Sequence, residues 1–141
     1  MPNYNSVTPE IIAQLEQVVP GRVVVGADVN PDYSRDEMPI YGTRMPEVSI
    51  DVLTTEEVAG IVKICYENNI PVTTRGAGTG LAGGCTPICG GVVICTMRMN
   101  KILSYDLENF AVTVQPGVLR QQLADDALQH GCMYPPDPGE K

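Results

Sequence analysis

Arg75-Gly-Ala-Gly-Thr-Gly-Leu-Ala-Gly-Gly84 is the stretch from which the reading of this chain starts. Five of its ten residues are glycine, and no charge follows Arg75. Without Cβ atoms such a segment turns tightly and lets a ligand reach its backbone N–H groups. Successive N–H groups turned inward form an anion nest. Each bond to a charged oxygen contributes about 1.5–3 kcal/mol, so several hold a pyrophosphate with little help from basic side chains. Arg75 is the nearby cation, and Thr79 adds a hydroxyl donor. A solvent loop rich in glycine by chance carries Ser, Asn, Asp or Lys, and residues 76–84 contain none of these.

The flanks of this run decide between motifs. Pro71 to Thr74 reads as a strand entering Arg75. After Gly84 come Cys-Thr-Pro-Ile-Cys-Gly-Gly and then an apolar strand, Val92 to Thr96. Pro87 and Gly90-Gly91 exclude a helix of useful length. The expectation is strand–loop–strand over Pro71 to Thr96. Gly78, Gly80 and Gly83 do fit G-x-G-x-x-G. A nicotinamide-binding Rossmann-type loop must, however, open directly into a helix. That alternative is kept for the case in which a helix begins at Gly80 to Gly84. No Gly-Lys-Ser or Gly-Lys-Thr occurs, which excludes a Walker loop.

Moving outward, Thr8-Pro9-Glu10 predicts a helix start, with Ile11, Ile12, Leu15, Val18 and Val19 at helical spacing and Pro20-Gly21 as its end. Arg22 to Val25 reads as a short strand, and Gly26 to Met45 as a long polar loop. Val48 to Leu53 reads as a strand, although Asp51 inside it has no evident role. Thr54 and Glu57 predict a capping box for a helix with Val58, Ile61, Val62 and Cys65 on one face, stopped by Asn68-Asn69. This strand–helix–strand unit predicts parallel strands. Ile102 to Asp106 and Ala111 to Gln115 read as a strand pair broken by Pro116-Gly117. A helix follows with Leu119, Leu123, Ala127 and Leu128 on one face and Gly131 as its cap, and then an extended segment from Cys132 to Tyr134.

Composition narrows the function. The 141 residues suffice for one domain, and 43% are hydrophobic. Aromatics are few, so the core is aliphatic, and the Val- and Ile-rich runs suit buried strands. Net charge is −8, with no basic stripe to meet a phosphate backbone, which argues against nucleic acid. No apolar run spans a bilayer, and Met1 to Thr8 lacks the pattern of a signal peptide. The chain is expected to be cytoplasmic, with its five cysteines reduced. Cys65 and Cys95 read as core residues. Cys85 and Cys89 would need two further ligands to bind a metal, and the single histidine, His130, is distant, so no metal site is expected. His130 reads as a solvated helix-end residue, and Tyr41, Tyr105 and Tyr134 as packing or rim residues.

The glycine run resembles the pyrophosphate loop of the p-cresol methylhydroxylase and vanillyl-alcohol oxidase flavoproteins, nearest to their glycolate oxidase and D-lactate dehydrogenase group. Three further stretches agree in order: Thr54-Thr-Glu-Glu-Val58, Val114-Gln-Pro-Gly-Val118 and Tyr134-Pro-Pro-Asp-Pro138. The resemblance runs from about Arg44 to Lys141. It implies an α+β fold, a partial p-cresol methylhydroxylase-type FAD-binding fold with a small mixed sheet and flanking helices. The expected organisation is a helix, short strand and loop over 1–43, then an FAD-binding domain over 44–141 that is incomplete at its C-terminal end.

The resemblance further implies cofactor contacts at Arg75, Gly76, Ala77, Gly78, Thr79, Gly80, Leu81 and Gly84 around the pyrophosphate, at Pro116, Gly117 and Val118 near the flavin, and at Pro136 and Asp137 from a third direction. Relatives with covalent flavin commonly carry His where this chain has Thr79, so noncovalent FAD is expected. The implied parent activity is oxidation of a D-2-hydroxy acid such as lactate or glycolate, with hydride passing to the flavin and electrons leaving to a partner protein or another acceptor. No catalytic acid or base is assigned. A noncatalytic nucleotide-binding module that works with a partner chain is the other alternative.

Overall fold

In the computed structural model, which describes residues 3–135, the first helix, α1, spans Pro9–Val18. Thr8 caps it by accepting from the Ile11 N–H, and Pro9 occupies the first turn, where its missing N–H costs nothing. Gly21, at φ +70°, turns the chain after it. A short strand follows, β1 (Val23–Val25). The polar segment expected as loop contains three single-turn 3₁₀ pieces, at Gly26–Asp28, Pro31–Ser34 and Pro39–Tyr41. Asn30 caps the second by accepting from the Asp32 N–H, as short polar side chains do at turns.

Next come β2 (Val48–Asp51), α2 (Thr55–Glu67), β3 (Val72–Arg75) and β4 (Val92–Cys95). Thr54 accepts from the Glu57 N–H at 3.2 Å, and Glu57 reaches back to the Leu53 N–H at 2.7 Å. Glu57 also pairs with Arg22, whose Nη1 donates both to Glu57 (2.8 Å) and to the Asp51 carbonyl (3.0 Å). One carboxylate thereby joins a helix start to the outer strand. Asn69, at φ +53°, ends α2.

The sheet order is β1-β2-β4-β3. β2 and β3 each run parallel to β4, and β1 is antiparallel to β2. The strand–helix–strand unit therefore has parallel strands, as the sequence implies, but they are not neighbours: β4, later in the chain, lies between them. All four residues of β4 are buried, which explains why it reads as an unbroken apolar run rather than an alternating one. No helix forms between Gly80 and Gly90, so the Rossmann-type reading does not hold. The core joins Ile11, Leu15 and Val19 with Ile61, Cys65, Val48, Ile50, Val92 and Ile94. Gly60 allows α1 and α2 to close up, because a Cβ there would meet Val18 at 3.0 Å. Val62, expected on the core face, is 44% exposed.

The chain divides into two compact units at Arg98/Met99. The second holds an antiparallel ribbon, β5 (Ile102–Asp106) and β6 (Ala111–Val114), followed by α3 (Arg120–Gln129). Leu123 and Ala127 are buried, whereas Leu119 and Leu128 are exposed, so the apolar face of α3 is narrower than its spacing suggests. Gly131, at φ +73°, turns the chain after α3, and residues 132–135 join no strand. His130 stands at the end of α3, its ring 4.1 Å from that of Tyr105, whose hydroxyl donates to Asp126. Cys65 and Cys95 are core residues as expected, and burial pushes the Cys65 thiol up to about 11.

Candidate functional site

Parallel strands β3 and β4 leave the glycine run at the carboxyl end of β3, where open α/β sheets receive ligands. Residues 76–84 adopt no regular structure. The N–H groups of Ala77 to Gly84 donate to no other described residue, so the run presents a series of uncommitted donors. Gly80 and Gly83 are held through their carbonyls instead, by the Glu37 N–H (3.1 Å) and the Thr86 N–H (3.2 Å).

The glycines of the run fall into two groups. Gly78 (φ +84°) and Gly83 (φ +71°) have left-handed backbone, and a Cβ on either would collide with its neighbour, at 2.0 Å from the Arg75 guanidinium and at 2.3 Å from the Tyr41 ring. Those two are explained by the chain's own packing. Gly76, Gly80 and Gly84 have no such conformation; Cβ atoms at Gly76 and Gly84 would meet nothing within 4 Å, and one at Gly80 would make only ordinary contact with Asp36 at 3.8 Å. The fold does not need glycine at these three positions, whereas a ligand lying against the backbone does.

Arg75 turns inward. It is 7% exposed, and its Nη1 donates to the Arg35 carbonyl at 2.7 Å and to the Cys85 sulfur at 3.6 Å. Its guanidinium lies 5.1 Å from the Tyr33 ring centre. Register explains this surrounding. Asp51, Cys95 and Arg75 form one row across β2, β4 and β3, and side chains in one row share a face. Asp51, odd when read as part of an isolated strand, thus stands on the face that Arg75 occupies. Burial, with the Cys95 thiol as partner, pushes the Tyr33 hydroxyl up. Arg75 is a positive charge set beneath the run and fixed by neutral groups.

Opposite the run lies the segment carrying Arg35, Asp36 and Glu37. Together with Arg75, Ala77 and Gly78 it encloses a cavity of about 190 Å³. Among the described residues, the two buried side-chain atoms without a hydrogen-bond partner are Asp36 Oδ2 and Thr86 Oγ1. Asp36 lines this cavity, and Thr86 closes the glycine run. Buried polar groups are ordinarily satisfied, so this is the part of the chain whose polar groups stay incomplete without a ligand. The donor series, the open glycines and the orphaned Thr86 hydroxyl fit a phosphate-bearing cofactor such as FAD, whereas the orphaned Asp36 oxygen calls for a hydrogen-bond donor on the same ligand. Asp36 and Thr86 were not singled out from sequence; burial inside a polar loop is not visible there.

The other expected contacts lie elsewhere. Pro116-Gly117-Val118 forms a turn after β6, with the Gly117 N–H donating to the Met99 carbonyl (2.8 Å) and the Val118 N–H to the Gln115 carbonyl (3.2 Å). It belongs to the second compact unit and the glycine run to the first. Thr79 and Leu81 are exposed on the run. Pro136 and Asp137 lie outside the described residues. Tyr41 packs on Gly83 as a rim residue. Among the described residues no helix is long and apolar enough to cross a membrane.

The chain is 56% identical over 138 residues to a D-lactate dehydrogenase of Anaerostipes hadrus, covering 98% of this chain and 29% of that protein. It is 39% identical over 118 residues to glycolate oxidase subunit GlcD of Bacillus subtilis (strain 168), covering 84% of this chain and 23% of that protein. The chain thus spans under a third of the length of these relatives. Its fold matches p-cresol methylhydroxylase with substrate bound at a TM-score of 0.74 and 28% identity, over 89% of this chain and 26% of that one. The family profile described as FAD binding domain matches residues 46–141, and the chain belongs to that family.

Proposed function

We propose that this chain is the FAD-binding portion of a flavin-dependent oxidoreductase that oxidises a D-2-hydroxy acid of the lactate or glycolate type. The observation that carries the proposal is the series of uncommitted N–H donors from Ala77 to Gly84 between two parallel strands. The names of the two relatives supply the substrate class. FAD, when bound, supplies the hydride acceptor. The protein's part is binding and orientation. Gly76 to Gly80 hold the pyrophosphate through backbone N–H groups, with Arg75 as a fixed charge beneath and Thr79, Leu81 and Gly84 at the edge. Pro116 to Val118 are the contacts assigned to the flavin side, and Pro136 and Asp137 are assigned as further cofactor contacts. Residues 44–141 form the FAD-binding domain, preceded by the helix, strand and loop of 1–43.

Thr79 has no nucleophilic ring nitrogen and so offers no tether at this position, which supports noncovalent FAD. One relative is named as a subunit, which favours a partner protein that takes up the electrons. The free cysteines suit the cytoplasm. The test is purification of the full-length protein, followed by assay of D-lactate, glycolate and L-lactate with an artificial electron acceptor. Release of FAD on denaturation and turnover of a D-2-hydroxy acid or glycolate are expected. A preparation that carries FAD yet oxidises none of these acids rejects the substrate class.

A further inference from the structure

Asp36 is 4% exposed. Its Oδ1 accepts from the Met38 N–H at 2.9 Å, while its Oδ2 has no partner. A buried acceptor left in that state is costly, more so when it carries charge. The natural candidate to satisfy it within the chain is Arg75, which lines the same cavity. Arg75 is instead committed to the Arg35 carbonyl and the Cys85 sulfur, and no ion pair joins it to Asp36 among the described residues. Oδ2 faces Gly80, where a Cβ would lie 3.8 Å away. The next residue, Glu37, donates its N–H to the Gly80 carbonyl.

A carboxylate beside an anion nest repels a bare diphosphate. Its ligand must therefore carry a hydrogen-bond donor close to the phosphates. In a flavin adenine dinucleotide each phosphate is joined directly to a polyol, the ribose on one side and the ribityl chain on the other. We propose that Asp36 Oδ2 accepts a hydrogen bond from a hydroxyl of the sugar unit that adjoins the pyrophosphate. This rests on the reading of the glycine run as the pyrophosphate site. Access requires Gly80 to move away from Asp36. The run permits that, because its N–H groups make no bonds within the described chain and the bond from Glu37 alone would have to yield. The contact distinguishes a free hydroxyl from a phosphorylated one, since an added phosphate would place two anions together.

The test uses the full-length protein stripped of flavin, as wild type, Asp36→Ala and Asp36→Asn. Each is titrated with FAD, FMN, ADP and inorganic pyrophosphate, and each stripped form is melted. Affinity for FAD is expected to fall roughly 10- to 100-fold in Asp36→Ala, the range for one charge-assisted bond, and less in Asp36→Asn. The melting temperature of the stripped variants is expected to change little, because relief of the unpartnered Oδ2 offsets loss of the Oδ1 bond to the Met38 N–H. A parallel fall for FMN assigns the ribityl hydroxyl; a parallel fall for ADP assigns the ribose. Wild-type affinity for FAD in both variants overturns the proposal. So does a loss shared by inorganic pyrophosphate, or one seen only in variants whose melting temperature falls far more than loss of the single Oδ1 bond explains, since either marks damage to the loop. A wild-type protein that binds no FAD rejects the pyrophosphate reading itself. Loss of FAD in Gly80→Val with unchanged Asp36 variants keeps that reading and rejects only the role of Asp36.

Discussion

Gly78 and Gly80, separated by one residue, answer different demands, and substitution tells them apart. At Gly80 the backbone is ordinary and the nearest atom to a new Cβ is at 3.8 Å. Gly80→Val is expected to fold with little change in melting temperature and to lose FAD, because its side chain fills the space against the run. Gly78→Val places a branched side chain at φ +84° and into the Arg75 guanidinium. It is expected to lose FAD and also about 2 kcal/mol of stability. Flavin absorbance after gel filtration, with melting of each protein, separates these outcomes; FAD retained by Gly80→Val would count against the site. At the same scale, Arg22 holds the Glu57 carboxyl down to about 2 from its ordinary 4.5. A depressed carboxyl stabilises the fold above its unfolded value and loses that effect as pH falls through its folded one. The stability gap between wild type and Glu57→Gln should be about 2 kcal/mol near neutral pH, discounted for partial exposure. It should close between about pH 4.5 and 2. Urea melts across this range give the gap directly, and a gap independent of pH would exclude the Arg22 pairing as its source.

Among the elements, β4 depends on Gly91. A Cβ there would lie 2.2 Å from the Pro71 carbonyl oxygen, at φ +71°, and that same oxygen accepts the Val92 N–H. Backbone cannot swing aside as a side chain can. Gly91→Ala is therefore expected to cost about 3 kcal/mol or more and to loosen β3 from β4, seen as faster amide exchange at Val92 to Cys95. In the ribbon the strain runs the other way: Phe110 sits at φ +52° and is 89% exposed. Phe110→Gly should raise the melting temperature, by about 1 kcal/mol of added stability; a lower one would show that the ring contributes packing. The elements themselves were largely legible, because their signals are local: the Thr8 and Thr54 caps, the Asn69 stop and the Pro87 break each act within one turn. What was not legible depends on distant partners. Nothing local places β4 between β2 and β3, or exposes Val62 while burying Ile61. The backbone donors of the run followed from its glycines. The burial of Asp36 and the inward turn of Arg75 did not, because they arise where the loop at Arg35, 40 residues earlier in the chain, folds over the sheet.

At the scale of the whole molecule, the 141-residue chain by itself is expected to bind FAD weakly and to oxidise nothing. Affinity for a dinucleotide comes from separated segments, and the cofactor contacts proposed above include only two stretches of the described residues, Arg75 to Gly84 and Pro116 to Val118. Titration of the purified chain with FAD, followed by assay with D-lactate and an artificial acceptor, checks this. Tight stoichiometric binding would mean that the run and the turn suffice, and turnover would mean that the catalytic groups lie within these residues. The sheet order carries a consequence for how the molecule is made. During synthesis β1, β2 and α2 emerge first and can associate, but β3 emerges with its future neighbour still inside the ribosome. It waits, unpaired on both sides, until Val92 to Cys95 arrive and slot between strands already present. The intervening stretch, rich in glycine, adds little local order in that interval, so insertion of β4 is the step most open to capture by chaperones or to wrong pairing with a neighbouring nascent chain.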